Sequence, residues 1–232
     1  MKKTILFVLT VFCFQLVNIK AQAHQKGTWN IDLGIGFGIY KTKTTYEFQI
    51  LEKEYRYVEE DGAVSTMIPL SVEYGISNKF GLGLELGFNN YAVDDSTKDN
   101  NGNMVLNVTE SVKSKDFALF VNYHLLNSDK NDLFIGLSLG VSSINWTFDN
   151  TNYEYSGRGN LFKFYIKDRI FFSENIGILF NLGYTSYVYN DMESSDNNAI
   201  LDDLKWDLSG VNLGTDRKST RLELQSRGHL VC

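Results

Sequence analysis

The 232-residue chain contains a single proline and two cysteines, and neither cysteine is placed where it could form a structural disulfide. Cys13 lies in residues 1–23, predicted below to be a cleaved signal peptide, and Cys232 lies in residues 216–232, predicted below to be a non-native tail, so the mature protein is expected to have no cysteine. A disulfide framework and thiol chemistry are therefore excluded. The scarcity of proline leaves long stretches without the residue that interrupts β-ladders, and 19 glycines with 14% aromatic residues suit tightly curved strands.

Long hydrophobic runs are absent after the start of the chain. Lys2 and Lys3 precede an apolar run from Thr4 to Ile19, and Ala21-Gln22-Ala23 matches a small-x-small cleavage site. Residues 1–23 are predicted to be a signal peptide that is cleaved near Ala23, with an uncleaved anchor as the alternative. Past this point no run reaches the roughly 18 apolar residues of a transmembrane helix, which excludes a helical membrane protein for the mature chain.

Basic charge is also in short supply. The chain has 22 Lys and Arg against 28 Asp and Glu, a formal net charge of -6. Without the signal peptide and residues 216–232, which are treated below, 15 basic residues stand against 26 acidic ones. A domain this acidic lacks the basic footprint that nucleic-acid binding requires, so nucleic acid is excluded as a partner.

The chain does contain a regular alternation of apolar and polar residues with a period of two. The clearest example is Thr28 to Tyr40, where one face carries Trp29, Ile31, Leu33, Ile35, Phe37 and Ile39 and the other carries Asn30, Asp32, Gly34, Gly36 and Gly38. A β-strand separates residues in this way and a helix does not.

Seven segments show this alternation in full and an eighth shows it in part. They are Thr28–Tyr40, Thr66–Gly75, Phe80–Tyr91, Lys115–His124, Leu133–Trp146, Asn160–Ile170, Ile176–Tyr189 and a strand that begins near Asp207. Short turns such as Ser77–Lys79 alternate with long polar connections such as Lys41–Ser65, which could continue the hairpin. A chain with half its side chains polar crosses a bilayer only as a closed barrel. The prediction is an all-β, eight-stranded antiparallel up-and-down transmembrane β-barrel in one domain, residues 24–215.

The eighth strand loses its pattern at Asp216. Continuing it in register would place Arg217 and Arg221 on the lipid face, at about 2–4 kcal/mol each near the midplane. The segment from Asp216 to Leu222 resembles the translation of a widely used sequencing-library adapter. Residues 216–232 are therefore predicted to be a non-native tail that leaves the last strand truncated. Resequencing the 3′ end of the gene tests this, and an intact gene encoding the same tail would contradict it.

The segment from His24 to Thr215 resembles the eight-stranded outer-membrane β-barrel family, related in architecture to the OmpA transmembrane domain and OmpX. The resemblance rests on pattern, with the run from Tyr74 to Gly83 typical of such barrels. It implies a Gram-negative outer membrane, both termini in the periplasm, contact with outer-membrane lipid and lipopolysaccharide, and the barrel-assembly machinery as a partner during insertion. The family's last strand ordinarily ends in an aromatic residue, which this chain lacks.

Charged residues of both signs are predicted to point into the barrel. They are Asp32, Glu73, Glu85, Lys163, Lys167 and Arg169. An eight-stranded interior is just wide enough for side chains to fill it, so a structural salt-bridge network is expected. A narrow ion-conducting path is the alternative.

Aromatic residues near the strand ends are predicted to form two interfacial girdles. Tyr40, Tyr91, Trp146 and Tyr187 are assigned to the outer interface, and Trp29, Phe80, Tyr123 and Phe172 to the periplasmic one. Stacking against sugars is the alternative role for these rings.

No catalytic or metal site is predicted, and no cofactor. By resemblance the enzymatic alternative is a lipid A modifying barrel, which needs a His or Ser with a carboxylate near the outer leaflet. His24 precedes the first strand, His124 falls beside a periplasmic turn as a solvated or packed residue, and His229 lies in the suspect tail. A calcium loop is disfavoured because the acidic cluster from Asp94 to Gly102 lacks the ligand spacing of an EF-hand.

The long loops are the remaining candidates for a functional site. Two are strongly acidic, with Glu52, Glu54, Glu59, Glu60 and Asp61 in the first and Asp191, Glu193, Asp196, Asp202 and Asp203 in the fourth. The expected role is structural or surface interaction, in envelope integrity or adhesion, through four extracellular loops whose ligand is unknown. A soluble periplasmic calyx of lipocalin type is the main rival, and it predicts the reverse polarity, with apolar side chains inside.

Overall fold

The computed structural model describes residues 24–50, 53–93, 96–98, 104–106, 110–128, 130–148, 154–172, 176–195, 203–219 and 222–223. Eight long strands dominate them: β1 (Thr28–Ile50), β2 (Lys53–Gly75), β3 (Phe80–Val93), β4 (Glu110–Asn127), β5 (Asn131–Phe148), β6 (Glu154–Phe171), β7 (Ile176–Ser194) and β8 (Asp203–Ser219). Ser96–Lys98 and Met104–Leu106 form a separate two-stranded sheet, and Leu222–Glu223 pairs with the start of β1. Within the described residues, no helix is long and apolar enough to cross a membrane.

The eight long strands form a closed ring. Each is antiparallel to its neighbour in sequence, and β8 pairs with β1 from Glu47↔Asp203 to Asp32↔Lys218. Closure satisfies the backbone groups that an open sheet would leave at its edges. The predicted eight-stranded antiparallel up-and-down barrel is confirmed.

The two faces of the ring have opposite polarity. The outer surface is a band of large exposed hydrophobic side chains, here called the apolar belt: Leu33, Ile35, Phe37, Ile39, Ile68, Leu82, Leu84, Leu86, Phe117, Leu119, Leu137, Leu139, Val141, Phe162, Phe164, Phe180, Leu182, Val211 and Leu213. The inner surface carries buried serine, asparagine and charged side chains. This polarity suits a hydrocarbon surrounding and is the reverse of a soluble calyx.

The apolar belt leads to a direct prediction. Leu139 is 65% exposed and lies mid-strand, paired with Leu119 and Phe162. Replacing it with arginine is expected to lower the free energy of unfolding by about 2–4 kcal/mol in lipid vesicles, because the charge must enter hydrocarbon. Urea titration followed by tryptophan fluorescence measures the change.

The control for this prediction is Tyr57→Arg, at an exposed position of β2 beyond the apolar belt. A surface substitution in water ordinarily changes stability by no more than about 0.5 kcal/mol. If Leu139→Arg were as mild as Tyr57→Arg, Leu139 would face water and the belt would not contact lipid.

Glycine inside the barrel makes room for large neighbouring side chains. A Cβ on Gly38 would overlap the ring of Tyr40, and one on Gly136 would overlap the ring of Tyr165. Such approaches are far inside van der Waals contact. The glycine-rich inner face therefore accommodates a densely filled interior.

The hairpin of β1 and β2 is longer than the predicted strands. Most of the stretch from Lys41 to Ser65 is strand, and the ladder runs unbroken from Tyr40↔Ala63 to Ile50↔Lys53. Beyond Tyr40 the inner face of β1 stays buried at Thr42 and Thr44, whereas its outer face carries exposed Lys41 and Lys43 in place of apolar residues, so the contrast of apolar and polar residues ends there. The pairing continues because backbone hydrogen bonds do not depend on that contrast.

The backbone of β8 stays paired past Asp216. Arg217 lies opposite Leu33 in β1 and Ile178 in β7, and the ladder ends at Ser219. Strands β1 and β7 both extend as far as Arg217, and their backbone N–H and C=O groups form hydrogen bonds with β8 there, whichever side chains β8 carries. The non-native origin of the tail stays a prediction, and residues 220–221 and 224–232 lie outside the described residues.

Candidate functional site

The barrel interior holds the candidate site. The short connections β2–β3 and β4–β5 lie at one end, called the turn end, and the β1–β2 hairpin projects from the other, called the loop end. The structure places the six charged residues predicted for the interior as follows: Asp32, Glu73, Lys167 and Arg169 are buried inside, and the Lys163–Glu85 pair lies nearer the middle.

Arg169 is the centre of an ionic cluster at the turn end. Its guanidinium nitrogens lie 2.7 Å from an Asp132 carboxylate oxygen, 2.9 Å from Asp32 and 3.7 Å from Glu73. The side chain of Arg169 is 0% exposed. Strands β1, β2, β5 and β6 thus meet at one buried cation, and the loss of that cation would leave three buried carboxylates without it.

Glu73 is held by amides as well as by Arg169. Asn122 donates to its Oε1 at 2.7 Å, and Asn30 donates to its Oε2 at 3.2 Å. Tyr165 in turn donates its hydroxyl hydrogen to Asn122 at 2.8 Å. Charge-assisted hydrogen bonds of this kind fix a carboxylate in one orientation.

His124 bridges two carboxylates of the same region. Its Nδ1 lies 2.6 Å from Asp132 Oδ1, and its Nε2 lies 3.1 Å from Glu73 Oε1. The side chain is fully buried. The alternation of β4, with Phe117 to Tyr123 outward at odd numbers, places residue 124 inward, which is the signal in the sequence for this position.

His24 lies directly on His124. The two rings stack with centroids 3.6 Å apart and planes 12° from parallel. The sequence placed His24 before the first strand and His124 beside a turn, and it did not predict that the two rings are in contact. The reason is that the chain before β1 folds across the turn end and places a residue outside the strands against the barrel interior.

The segment that carries His24, residues 24–27, is called the strap. The amide of Gly27 donates to the carbonyl of Gly75 at 2.7 Å, and the amide of Lys26 donates to Asn78 Oδ1 at 3.1 Å. Gly27 has a φ of 82°, a conformation that glycine adopts readily. Burial lowers the pKa of the His24 imidazole and so favours the neutral ring. The negative charge of Glu73 acts in the opposite direction and is the smaller effect.

The middle of the barrel holds a second polar group around Asp116. Lys163 Nζ lies 2.7 Å from Glu85 Oε1 and 3.4 Å from Asp116 Oδ2. Tyr187 and Ser142 donate to Asp116 at 2.8 Å and 2.7 Å. The predicted interior set omitted Asp116, although its even number in β4 already places it inward.

Lys167 and Asp216 lie beside a small interior cavity. Lys167 Nζ sits 4.5 Å from the centroid of the Tyr165 ring. The cavity, lined also by Glu85 and Asn181, has a volume of about 30 Å³. That is room for about one water molecule, so this part of the interior is filled rather than open.

Four residues assigned to the outer girdle point inward. Tyr40, Tyr91, Trp146 and Tyr187 are buried inside the loop end, so that assignment was wrong. The physical reason is parity, that is, whether a residue has an odd or an even number within its strand, because successive side chains point to opposite faces. Each of these residues lies on the same face as the inward glycines and polar residues of its strand, as Tyr40 does with Gly38. With Tyr189 and Trp206 they form what we call the aromatic cluster.

Trp206 is at the centre of the aromatic cluster. Its ring centroid lies 5.2 Å from Trp146, 6.0 Å from Tyr91 and 6.0 Å from Tyr189. These separations are typical of favourable aromatic contacts. The loop end of the interior is therefore packed with rings.

The four aromatic residues assigned to the periplasmic girdle lie on the outside at the turn end. Trp29 contacts Tyr74 with centroids 4.9 Å apart, and Phe80 contacts Tyr123 at 5.0 Å. Phe172 is 68% exposed. An interfacial position for these rings stays a prediction.

The arrangement defines a transmembrane β-barrel with a packed interior. Ionic and hydrogen-bonded side chains fill the turn end and the middle, and rings fill the loop end. In the part of the chain that the structure describes, five interior carboxylates, Asp32, Glu73, Glu85, Asp116 and Asp132, each lie within 4 Å of a cationic nitrogen.

Comparison with known proteins finds similar folds at low identity. No family model and no curated protein matches the sequence. Among solved structures, the outer membrane protein OprG from Pseudomonas aeruginosa is 13% identical with a TM-score of 0.49, over 89% of this chain and 100% of that one. The outer membrane protein AlkL, solved in lipid bilayers, is 13% identical with a TM-score of 0.48, over 90% and 96%. Neisserial surface protein A is 8% identical with a TM-score of 0.39, over 81% and 97%.

Proposed function

We propose that the protein is an outer-membrane barrel that presents its β1–β2 hairpin at the cell surface for contact with a protein partner. The observation that carries this proposal is the length of the hairpin. β3 pairs with β2 as far as Ala63, opposite Tyr40, whereas the β1–β2 ladder continues to Ile50↔Lys53. Beyond β3, β2 pairs with β1 alone over ten further residues of β1, about 33 Å at about 3.3 Å per residue, while β1 keeps β8 as its other neighbour as far as Glu47↔Asp203.

The surface of the extended hairpin suits contact with another molecule. Tyr55, Tyr57 and Val58 are large and exposed. Ion pairs frame them, with Lys41 Nζ 2.6 Å from Glu60 and Arg56 Nε 3.7 Å from Glu47. Exposed aromatic side chains beside charged groups have the composition of a protein interface, where tyrosine and arginine are enriched. The hairpin is therefore the favoured contact region.

An outer-membrane position is supported by three features together. The apolar belt requires a lipid surrounding, the start of the chain reads as a signal peptide, and closed barrels with short turns at one end are the form that spans bacterial outer membranes. Contact with lipopolysaccharide and with the assembly machinery stays part of this proposal.

A pore and a lipid A modifying enzyme are less well supported. The aromatic cluster fills the loop end, and the Arg169 cluster fills the turn end, which leaves little room for an ion path. The His24–His124 pair lies at the turn end, away from the loop end where an outer-leaflet substrate would arrive. A structural and surface-interaction role therefore fits the packed interior best.

Trimming the hairpin tests the proposed function. Replacing residues 48–55 with an Asn-Gly turn, together with Tyr57→Ser and Val58→Ser, keeps the β1–β2 ladder up to Glu47↔Arg56 and the β1–β8 pairs, and removes the side chains of Tyr55, Tyr57 and Val58. We expect the trimmed barrel to insert normally and to lose adhesion of expressing cells to immobilised extracellular-matrix proteins, because the contact surface is gone. Adhesion is compared with that of cells carrying the intact protein and cells carrying none.

The matched control is Val64→Ser, at an exposed outward position below the trimmed segment. It changes one side chain and leaves the hairpin tip intact, so adhesion should stay at the intact level. Undiminished adhesion by the trimmed barrel would contradict the assignment of function to the hairpin.

A further inference from the structure

Three buried side chains converge where the strap meets the barrel. His24, Glu73 and His124 each offer a donor atom, and these three atoms lie within 4.8 Å of one another. All three residues are buried to about 1% exposure. The proposed surface function uses none of them.

The hydrogen bonds of His24 leave one nitrogen with a free lone pair. Nε2 lies 2.9 Å from the carbonyl oxygen of Ser77 and 3.2 Å from that of Phe80. Carbonyl oxygens only accept, so Nε2 carries the hydrogen, and Nδ1 of the neutral ring then has the lone pair. Nδ1 is buried and has no hydrogen-bond partner.

His124 presents a similar lone pair to the same place. Its Nδ1 donates to Asp132 at 2.6 Å, so the neutral ring has its lone pair on Nε2. That nitrogen faces Glu73 Oε1 at 3.1 Å, and an ionised carboxylate only accepts. Two acceptors face each other here, and either a proton or a cation must lie between them.

The charges of the cluster favour a divalent cation. Asp32, Glu73 and Asp132 supply three negative charges around the single guanidinium of Arg169. With both imidazoles neutral, two negative charges are left over in a buried site. A divalent ion balances both, whereas protonation of His124 balances one.

We propose that His24, His124 and Glu73 bind a zinc ion at the turn end of the barrel. Two imidazoles and one carboxylate form a recognised zinc donor set. The 3.1 Å between His124 Nε2 and Glu73 Oε1 is close to the separation of about 3.3 Å between two ligands at tetrahedral zinc, given bonds of about 2.0 Å. The carboxylate of Asp132 orients the imidazole of His124, as second-shell groups do in zinc sites.

Zinc binding would fasten the strap to the barrel. The strap carries His24, β2 carries Glu73 and β4 carries His124, so one ion joins three separate segments. The ring of His24 must tilt from its stacked position to direct Nδ1 at the metal. The glycine at position 27, next to the barrel edge, allows the strap this adjustment.

The predicted signal cleavage adds a fourth donor. Cleavage after Ala23 makes His24 the first residue, and its α-amine can form a six-membered chelate ring together with Nδ1 and the metal. This donor depends on that cleavage, whereas the three side chains do not. Zinc would then have four protein ligands.

Zinc titration of the mature protein in detergent tests the site. After EDTA treatment and removal of the chelator, we expect the intact barrel to bind one Zn²⁺, measured by calorimetry and by elemental analysis of the gel-filtered protein. His24→Ala and His124→Ala should lose this stoichiometric zinc. Asp132→Asn should weaken zinc binding about 10- to 100-fold.

Lys26→Ala is the matched control, because it changes an exposed strap residue whose side chain offers no proposed ligand. It should bind zinc like the intact protein. His24→Ala decides the outcome if His124→Ala fails to fold, since His24 lies outside the strands. Absence of zinc from the intact barrel, or full zinc binding by folded His24→Ala, would overturn the site. Adding an alanine before His24 should weaken affinity, and unchanged affinity would overturn the role of the α-amine.

Discussion

Replacing Arg169 with methionine is expected to lower the free energy of unfolding by about 3–5 kcal/mol. Methionine fills a similar volume but supplies no charge, so Asp32, Glu73 and Asp132 would remain buried around an apolar side chain. Removing one partner of a buried ionic cluster leaves charges that neither water nor protein compensates. Urea unfolding of the barrel in lipid vesicles, followed by tryptophan fluorescence, measures the loss.

Lys41→Met is the matched control for Arg169→Met. Lys41 pairs with Glu60 at 2.6 Å, but both side chains are more than half exposed. Exposed ion pairs contribute about 0–1 kcal/mol, so this variant should be close to the intact protein in stability. Equal effects of the two substitutions would show that the turn-end cluster does not hold the barrel together.

Replacing Trp206 with alanine is expected to cost about 3–5 kcal/mol. The indole is 0% exposed and contacts Tyr91, Trp146 and Tyr189 within the aromatic cluster. Its removal forfeits those contacts and leaves a cavity that the surrounding strands cannot close. The same vesicle unfolding assay, followed through its change in midpoint and slope, measures the effect.

Tyr57→Ala provides the comparison for Trp206→Ala. Tyr57 is also aromatic but lies exposed on the extended hairpin, where loss of its ring should change stability by no more than about 0.5 kcal/mol. A cost for Trp206→Ala as small as that of Tyr57→Ala would mean that the loop end is loosely packed. The pore alternative would then gain support.

The barrel itself was predictable because a single physical contrast repeats along the chain. Lipid on one side and a packed polar interior on the other impose alternation in every strand, as in Phe80 to Phe88. The short turns then leave only neighbour-to-neighbour pairing. Placing Asp32 and Arg169 on the inner face required nothing more than their parity.

The contacts within the interior were not predictable in the same way. Arg169 meets Asp32 across 137 positions of sequence, and this depends on how the ring closes and how far each strand is staggered. Parity alone says that both point inward and does not say at which height. The wrong girdle assignment has a different cause. Tyr40 and Tyr187 were assigned to the outer interface because they lie near strand ends, although the alternation of their strands places both side chains inside the barrel.

The His24–His124 pair was missed because it depends on a segment without periodic structure. The strap has no alternation, and its path across the turn end is fixed by hydrogen bonds to Gly75 and Asn78. Only the inward parity of His124 was visible in the sequence. The stretch from Lys41 to Ser65 was predicted only as a long polar connection that could continue the hairpin, since both faces of β2 are exposed from Tyr55 to Gly62 and water on both faces removes the contrast that marks a strand.

The most direct test of the closed transmembrane barrel is the gel mobility of the native protein from membrane fractions in SDS, unheated and boiled. A closed ring of eight paired strands resists SDS until heated, so the unheated protein should migrate differently from the boiled protein and should fractionate with outer membranes. Identical mobility in both samples, with the protein in the soluble periplasmic fraction, would contradict the account.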